Sequence, residues 1–277
     1  DNLKFVRLCR TVQSNRKRSF MKIAISGKGG VGKTTLAAVL ARLYAEEGRR
    51  VLAVDADPDA NLGPALGFSE AETAELTPIS KMTELIAERT GASPEGLGKF
   101  FKINPRVDDI PDRFSKEKNG VKLLAMGTVE SGGGGCVCPE NVMLKRVISH
   151  LVVSREEVVI MDMEAGLEHL GRGTAGMVDR FIVVVEPGER SLQTFFRVKT
   201  LAADLGVKKV GVAANKIRGE EDELFIKDRI PAEELLGFIR YRDDVTDADR
   251  RGLSPYDTSA GTREDIRRIK ECIDASA

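Results

Sequence analysis

Apolar residues in this chain come in short, nearly unbroken runs, at Ile23 to Ser26, Val51 to Val54, Val121 to Met126, Val158 to Met161, Phe181 to Val185, Val210 to Ala214 and Leu235 to Ile239. Most of the intervals between them carry apolar residues at helical spacing. A strand that is apolar on both sides has to be covered on both. Such runs separated by helices therefore predict an α/β fold, a mostly parallel central sheet with helices on both faces. Ligands in such a sheet gather at the carboxyl ends of the strands. The stretch of about residues 67–119 breaks the rhythm with Pro78, Pro94, Pro105, Pro111 and several glycines, and reads as an insertion with short helices near Met82 to Arg89 and Pro94 to Phe101. At the other end, Thr262 to Ala275 places Ile266, Ile269 and Ile273 beside Arg263, Arg267, Arg268 and Lys270. This short amphipathic helix is expected to pack back on the domain.

Residues 1–20 stand apart. Lys4, Arg7, Arg10, Arg16, Lys17 and Arg18 face one acid, Asp1, and Met21 precedes the first apolar run. They read as a non-native or disordered leader, with a basic transit segment as the alternative, and residues 21–277 read as a single domain. The whole chain of 277 residues balances 43 Lys and Arg against 43 Asp and Glu. Because six of the bases and one acid fall in the leader, the domain itself is acidic by about five charges, which speaks against nucleic-acid binding. No apolar stretch approaches the ~20 residues of a membrane span, and no stable membrane binding is expected. The four cysteines, Cys9, Cys136, Cys138 and Cys272, do not form the spread framework of a secreted disulfide protein, so a reducing cytoplasm is expected.

The chemistry starts directly after the first run, at Gly27-Lys28-Gly29-Gly30-Val31-Gly32-Lys33-Thr34-Thr35, with a helical pattern from Leu36. Glycines here let backbone N–H groups turn inward to cradle phosphates. Lys33 places its ammonium on the outer phosphates, and the Thr34 hydroxyl can ligate Mg2+. A nucleoside triphosphate is the ligand this implies. Lys33 already serves its own phosphates, so Lys28 points to a second role, for which a nucleotide held by a partner subunit is one candidate. The second run leads into Asp55-Ala56-Asp57-Pro58-Asp59-Ala60-Asn61. One carboxylate there can hold a Mg2+-bound water and another can orient the water that attacks a γ-phosphate. Val158 to Met161 carries Asp162 to the sheet edge as a Walker B carboxylate facing Mg2+, and Glu164, Gly166 and His169 follow in a segment suited to sensing the γ-phosphate. His150 and His169 are read as structural. Past the sixth run, Asn215-Lys216 offers an amide for a nucleobase edge and a lysine stem for its face.

Four glycines, Gly132 to Gly135, precede Cys136-Val137-Cys138-Pro139-Glu140-Asn141. Thiols at i and i+2 share one face of an extended segment, with α-carbons roughly 6.6 Å apart. One Cys-x-Cys supplies two thiolates where a closed tetrahedral site takes four, and a two-fold dimer joining two such loops would supply four. Sulfur ligands alone do not choose between Zn2+, Ni2+ and an iron-sulfur cluster, and an isolated pair of this kind also suits a buried or redox role.

The first loop resembles the deviant Walker A motif, K-G-G-x-G-K-[ST], of the MinD, ParA, nitrogenase-iron-protein and Mrp group of dimeric ATPases. Taken with Asp55 to Pro58, Cys136 to Asn141 and Asp162 to Leu170, residues 21–277 resemble the CooC-type accessory ATPases that insert nickel into carbon monoxide dehydrogenase, and their relatives serving acetyl-CoA synthase. The resemblance implies ATP hydrolysis to ADP with Mg2+, with Gly29, Gly30, Val31, Gly32, Lys33, Thr34 and Thr35 on the nucleotide and Thr34 and Asp162 toward Mg2+. It implies that Lys28 crosses the dimer interface, that Asp57 orients water, and that Asn215 with Lys216 meets adenine. It also implies that Cys136 and Cys138 hold Ni2+ or Zn2+ across a homodimer whose client is a nickel enzyme. An iron-sulfur-cluster carrier or reductase ATPase is the main alternative. A MinD- or ParA-like positioning ATPase would leave the cysteines unexplained.

Overall fold

The computed structural model describes residues 20–92, 101–128, 138–164 and 172–276. Eight strands form one sheet: β1 (Met21–Ser26), β2 (Val51–Ala56), β3 (Lys116–Lys118), β4 (Val121–Ala125), β5 (Val158–Met163), β6 (Arg180–Val185), β7 (Val210–Ile217) and β8 (Leu235–Arg240). Their order is β3-β4-β2-β5-β1-β6-β7-β8, and every neighbouring pair is parallel except β3 with β4. The described helices of eight residues or more are α1 (Lys33–Glu46), α2 (Thr83–Thr90), α3 (Pro139–Ser154), α4 (Glu189–Asp204), α5 (Glu220–Lys227), α6 (Asp243–Arg250) and α7 (Ala260–Ala275).

The unbroken apolar runs follow from the two-sided cover. Alternate strand residues go to opposite faces. Ala24, Leu52, Val54, Val159, Met161 and Val183 pack with Leu144, Ile148 and Leu151 of α3 and Leu192 and Phe195 of α4. Ile23, Ile25, Ala53, Ile160 and Ile182 pack on the other side with Leu36, Leu40 and Leu43 of α1 and with α7. All six residues of β1, β2, β5 and β6 are buried. Strands of this kind cannot slip register without exposing apolar surface, so the loops at their carboxyl ends are held on a fixed base.

Three features depart from the reading of the sequence or extend it. The polar strand β3 was not predicted. It pairs antiparallel with β4 through Asn119 and Gly120, whose φ angles of 53° and 76° suit a two-residue hairpin turn. An Asn-Gly pair is the signal that would have found it, and its Lys-Glu-Lys composition is what protects a sheet edge. Strand β7 runs on to Ile217, past the expected end at Ala214, with a register shift across Asn215 and Lys216 where Lys216 takes a φ of 59°. The helix expected near Met82 to Arg89 is α2, whereas the one expected from Pro94 lies almost wholly outside the described residues, as do residues 1–19 of the leader.

Helix α7 turns its stripe inward: Ile266, Ile269 and Ile273 are buried against β8 and α1, and Cys272 packs partly against the same core. The side chain of Ser259 accepts the Thr262 N–H at the helix start. No helix among the described residues is long and apolar enough to cross a membrane. Removing a buried isoleucine here leaves a cavity, so Ile269→Ala is expected to lower unfolding stability by about 2–5 kcal/mol in urea titration. Arg268→Ala, at a side chain 70% exposed on the opposite face, should stay within about 0.5 kcal/mol of wild type.

Candidate functional site

Strand β1 ends at Ser26, and the chain turns through Gly27 to Gly32 into α1. Gly32 holds a left-handed φ of 96°, and a Cβ there would lie 2.1 Å from the Asn215 amide nitrogen, so only glycine fits. No side chain caps α1, which leaves its first N–H groups and the positive end of its dipole directed at the strand ends. Around this end lies a cleft of about 750 Å3. Gly29, Gly30, Gly32, Lys33, Thr34 and Thr35 line one side, Asp57, Asp59, Asn61 and Glu164 another, and Asn215, Lys216, Tyr241, Arg242 and Leu253 the far wall.

The expected site residues lie as follows. Lys33 is 7% exposed, and its Nζ stands 3.5 Å from Asp57 Oδ2. The Thr34 hydroxyl donates to Asp162 Oδ2 at 2.6 Å. Asp162 is 1% exposed and its other oxygen, Oδ1, is buried with no hydrogen-bond partner. A hydroxyl beside a carboxylate with an unsatisfied oxygen is a donor set that fits Mg2+, which takes one or two protein oxygens and fills the rest with phosphate and water. Lys28 is exposed on the loop. Asn215 donates from Nδ2 to the Val31 carbonyl at 2.7 Å and accepts the Lys216 N–H at 2.8 Å, so in this structure its amide grips the phosphate loop. Lys216 Nζ is 3.2 Å from Glu186. Cys138 is half-buried in extended backbone immediately before α3, and its carbonyl accepts the Val142 N–H. Cys136, Gly166 and His169 lie outside the described residues. Among the described residues no three His, Cys, Asp or Glu side chains converge as a metal site.

Two contacts escaped the sequence. Asp55 sits beside Asp162 in register and accepts the N–H groups of Asp57 (3.3 Å) and Leu62 (3.0 Å), which staples the loop that carries Asp57. Ser26 Oγ donates to the Glu164 carbonyl at 3.0 Å, tying the end of β1 to the segment after β5. The Ser26 contact has no motif, because its partner follows another strand; the Asp55 contact is local, an aspartate accepting the N–H two residues on, and the Asp-x-Asp spacing is the signal that could have found it. Burial foremost, and then the charge of Asp162, pushes the Asp55 carboxyl up to about 7. Burial likewise raises Asp162 to about 6, against the opposing pull of the Thr34 hydroxyl and Lys33.

The CobQ/CobB/MinD/ParA nucleotide-binding domain matches residues 22–256. The chain is 51% identical to the carbon monoxide dehydrogenase accessory protein CooC of Rhodospirillum rubrum, over 91% of this chain and 96% of that one. The chain belongs to the CooC family. It is also 47% identical to an uncharacterised ATP-binding protein of Methanocaldococcus jannaschii over 90% of this chain and 96% of that one. Among solved structures, the MinC:MinD cell division complex of Aquifex aeolicus superposes with a TM-score of 0.62 over 92% of this chain and 93% of that one, at 21% identity. That likeness shows the fold, a P-loop nucleotide-binding sheet with the loop after β1.

The raised carboxyls of this CooC-family site give the free protein a definite pH response. A group protonated more readily in the folded state contributes stability below its unfolded value, near 4, and loses it as pH rises through its folded value. For Asp55 that window runs from about 4 to about 7. Without nucleotide or divalent cation, the stability advantage of wild type over Asp55→Asn is expected to shrink by roughly 2–4 kcal/mol between pH 4.5 and 7.5 in urea unfolding. Parallel profiles for the two proteins would show that Asp55 titrates in the ordinary range.

Proposed function

We propose that this chain is a Mg2+-dependent ATPase that dimerises and helps insert nickel into a carbon monoxide dehydrogenase or acetyl-CoA synthase. The observation that carries the reading is the 51% identity, over nearly all of both chains, to a protein whose name ties it to carbon monoxide dehydrogenase. The phosphate loop, Lys33 and the Thr34-Asp162 pair support the ATPase half of it.

In this reading the uncapped N–H groups of α1 and Lys33 hold the β- and γ-phosphates, and Thr34 with Asp162 holds Mg2+. Mg2+ supplies neutralisation of the charge that develops on the transferred phosphoryl group. Asp57 rests 3.5 Å from Lys33. A polyphosphate competes for that ammonium, which frees Asp57 to hold the attacking water, while Asp55 keeps the loop from drifting. Lys28, exposed on the rim, reaches the nucleotide of the partner copy and acts on the transition state. Asn215 and Lys216 face the base. The metal cargo is held by Cys136 and Cys138 from two copies, so hydrolysis and metal transfer share one dimer.

Lys33→Ala is expected to abolish ATP binding, whereas Lys28→Ala keeps affinity and slows turnover, because a charge supplied in trans acts on the transition state more than on the ground state. Asp57→Asn should still bind Mg-ATP and lose turnover ~100-fold or more, as a water-positioning group does. Steady-state ATPase assays beside equilibrium binding separate these cases. If Lys28→Ala lost affinity as badly as Lys33→Ala, the cross-subunit role would be wrong.

For the metal half, the protein purified without oxygen is expected to carry Ni2+ or Zn2+ at about one ion per two chains, the stoichiometry of a four-thiolate site shared by two copies. Cys138→Ala and Cys136→Ala each remove two of those four ligands and should abolish metal-driven dimerisation in sedimentation, with ATP binding intact. Iron with sulfide in the purified protein would instead mark a cluster carrier. A Cys136→Ala protein that dimerised normally with metal would rule out the shared site.

A further inference from the structure

We propose that Asn215 is a positioning residue for the phosphate loop, a role that rests on the nucleotide-binding reading of the cleft and goes beyond contact with the base. The side chain lies on β7, 184 positions from its partner in the chain, is nine-tenths buried, and donates Nδ2 to the Val31 carbonyl at 2.7 Å. Its orientation is fixed from the other side. The Lys216 N–H needs an acceptor and takes Oδ1 at 2.8 Å, so the amide nitrogen is the group left to meet the Val31 carbonyl. Lys216 pins that arrangement: its left-handed φ of 59° is a costly conformation for a lysine, and it falls where the β7-β8 register shifts.

Val31 is the residue through which such a grip would act. It is fully buried, its N–H donates to the Lys28 carbonyl, and the next residue, Gly32, turns the chain into α1. The place of a Cβ on Gly32 is taken by the Asn215 amide nitrogen. Holding the Val31 carbonyl therefore holds the direction in which the first N–H groups of α1 point. The amide retains a second N–H and a second lone pair, so it can meet a base while it grips the loop. One side chain then couples the base end of the cleft to the phosphate end. A contact with adenine alone would leave phosphate binding untouched; a loop-positioning residue changes it even when no base is present.

Inorganic tripolyphosphate with Mg2+ is the probe, since it offers phosphates and no base. In competition against a fluorescent ATP analogue, Asn215→Ala in the full chain is expected to weaken tripolyphosphate by about tenfold, the effect of leaving a buried carbonyl without its donor, and to weaken ATP at least as much. In the ligand-free protein, amide hydrogen exchange over residues 27–36 should quicken in Asn215→Ala and stay at the wild-type rate in Lys209→Ala, a surface change far from the loop. Asn215→Asp keeps an acceptor for the Lys216 N–H but loses the donor, and should share the tripolyphosphate defect. Unchanged tripolyphosphate affinity in either variant, or unchanged exchange in Asn215→Ala, would overturn the proposal. So would a wild-type protein that bound ATP but not tripolyphosphate, because the loop would then depend on the base for its shape. A wild-type protein that bound neither would instead remove the nucleotide reading on which the proposal rests.

Discussion

Two carboxylates buried side by side at the carboxyl ends of β2 and β5 govern the rest of the site. Asp55 and Asp162 are register partners, 3% and 1% exposed, and burial raises both. The nearby cation, Lys33, is already paired with Asp57. The site is therefore short of positive charge at Asp162, while a few ångströms away the bare end of α1 is short of negative charge. A free phosphate would worsen the first deficit and a free divalent cation would do little for the second. A magnesium polyphosphate meets both at once. The buried parallel sheet matters because it holds these opposed demands together, fixed by strands that are closed to solvent on both faces.

Much of this was legible in the sequence because the relevant signals are local. Unbroken apolar runs mark strands covered on both sides, and the glycine-lysine loop must follow such a strand to work at all. Asp162 could be placed because four apolar residues precede it. Part of what escaped was set by partners distant in sequence. The Asn215 amide was legible as a polar group at a strand end, but its grip on Val31 spans 184 positions and depends on a backbone twist at Lys216 that no pattern of polar and apolar residues encodes. The sequence reading singled out Asp57 and gave Asp55 no role of its own, because a strand-end aspartate accepting the N–H groups two and seven residues on is defined by the fold of the loop rather than by composition. Strand β3 was hidden because an edge strand that must avoid aggregation is polar, and so lacks the feature by which strands are recognised.

The carboxyl-terminal helix separates two uses of a similar pattern. An amphipathic helix that docks on lipid keeps its apolar stripe available. In α7 the three isoleucines are committed to the core between β8 and α1, and Lys270 joins them, paired with Glu47 and Asp274. Detaching this helix would expose core residues of the strands beneath it, so its folding role and a membrane role compete for one surface.

Topology also constrains how two copies can meet in the proposed dimer. Because α3 leads back to the start of β5, which runs parallel to β1, the start of α3 with Cys138 and the loop with Lys28 lie on the same rim of the sheet. An axis running along the rim, across the strands, brings each loop opposite its own copy. Cys138 then meets Cys138 and Lys28 faces the neighbouring nucleotide in one arrangement. In the proposed dimer, a nucleotide that draws the rims together at β1 would also move the thiolates before α3 along the same axis, a mechanical route from hydrolysis to a metal held between the chains.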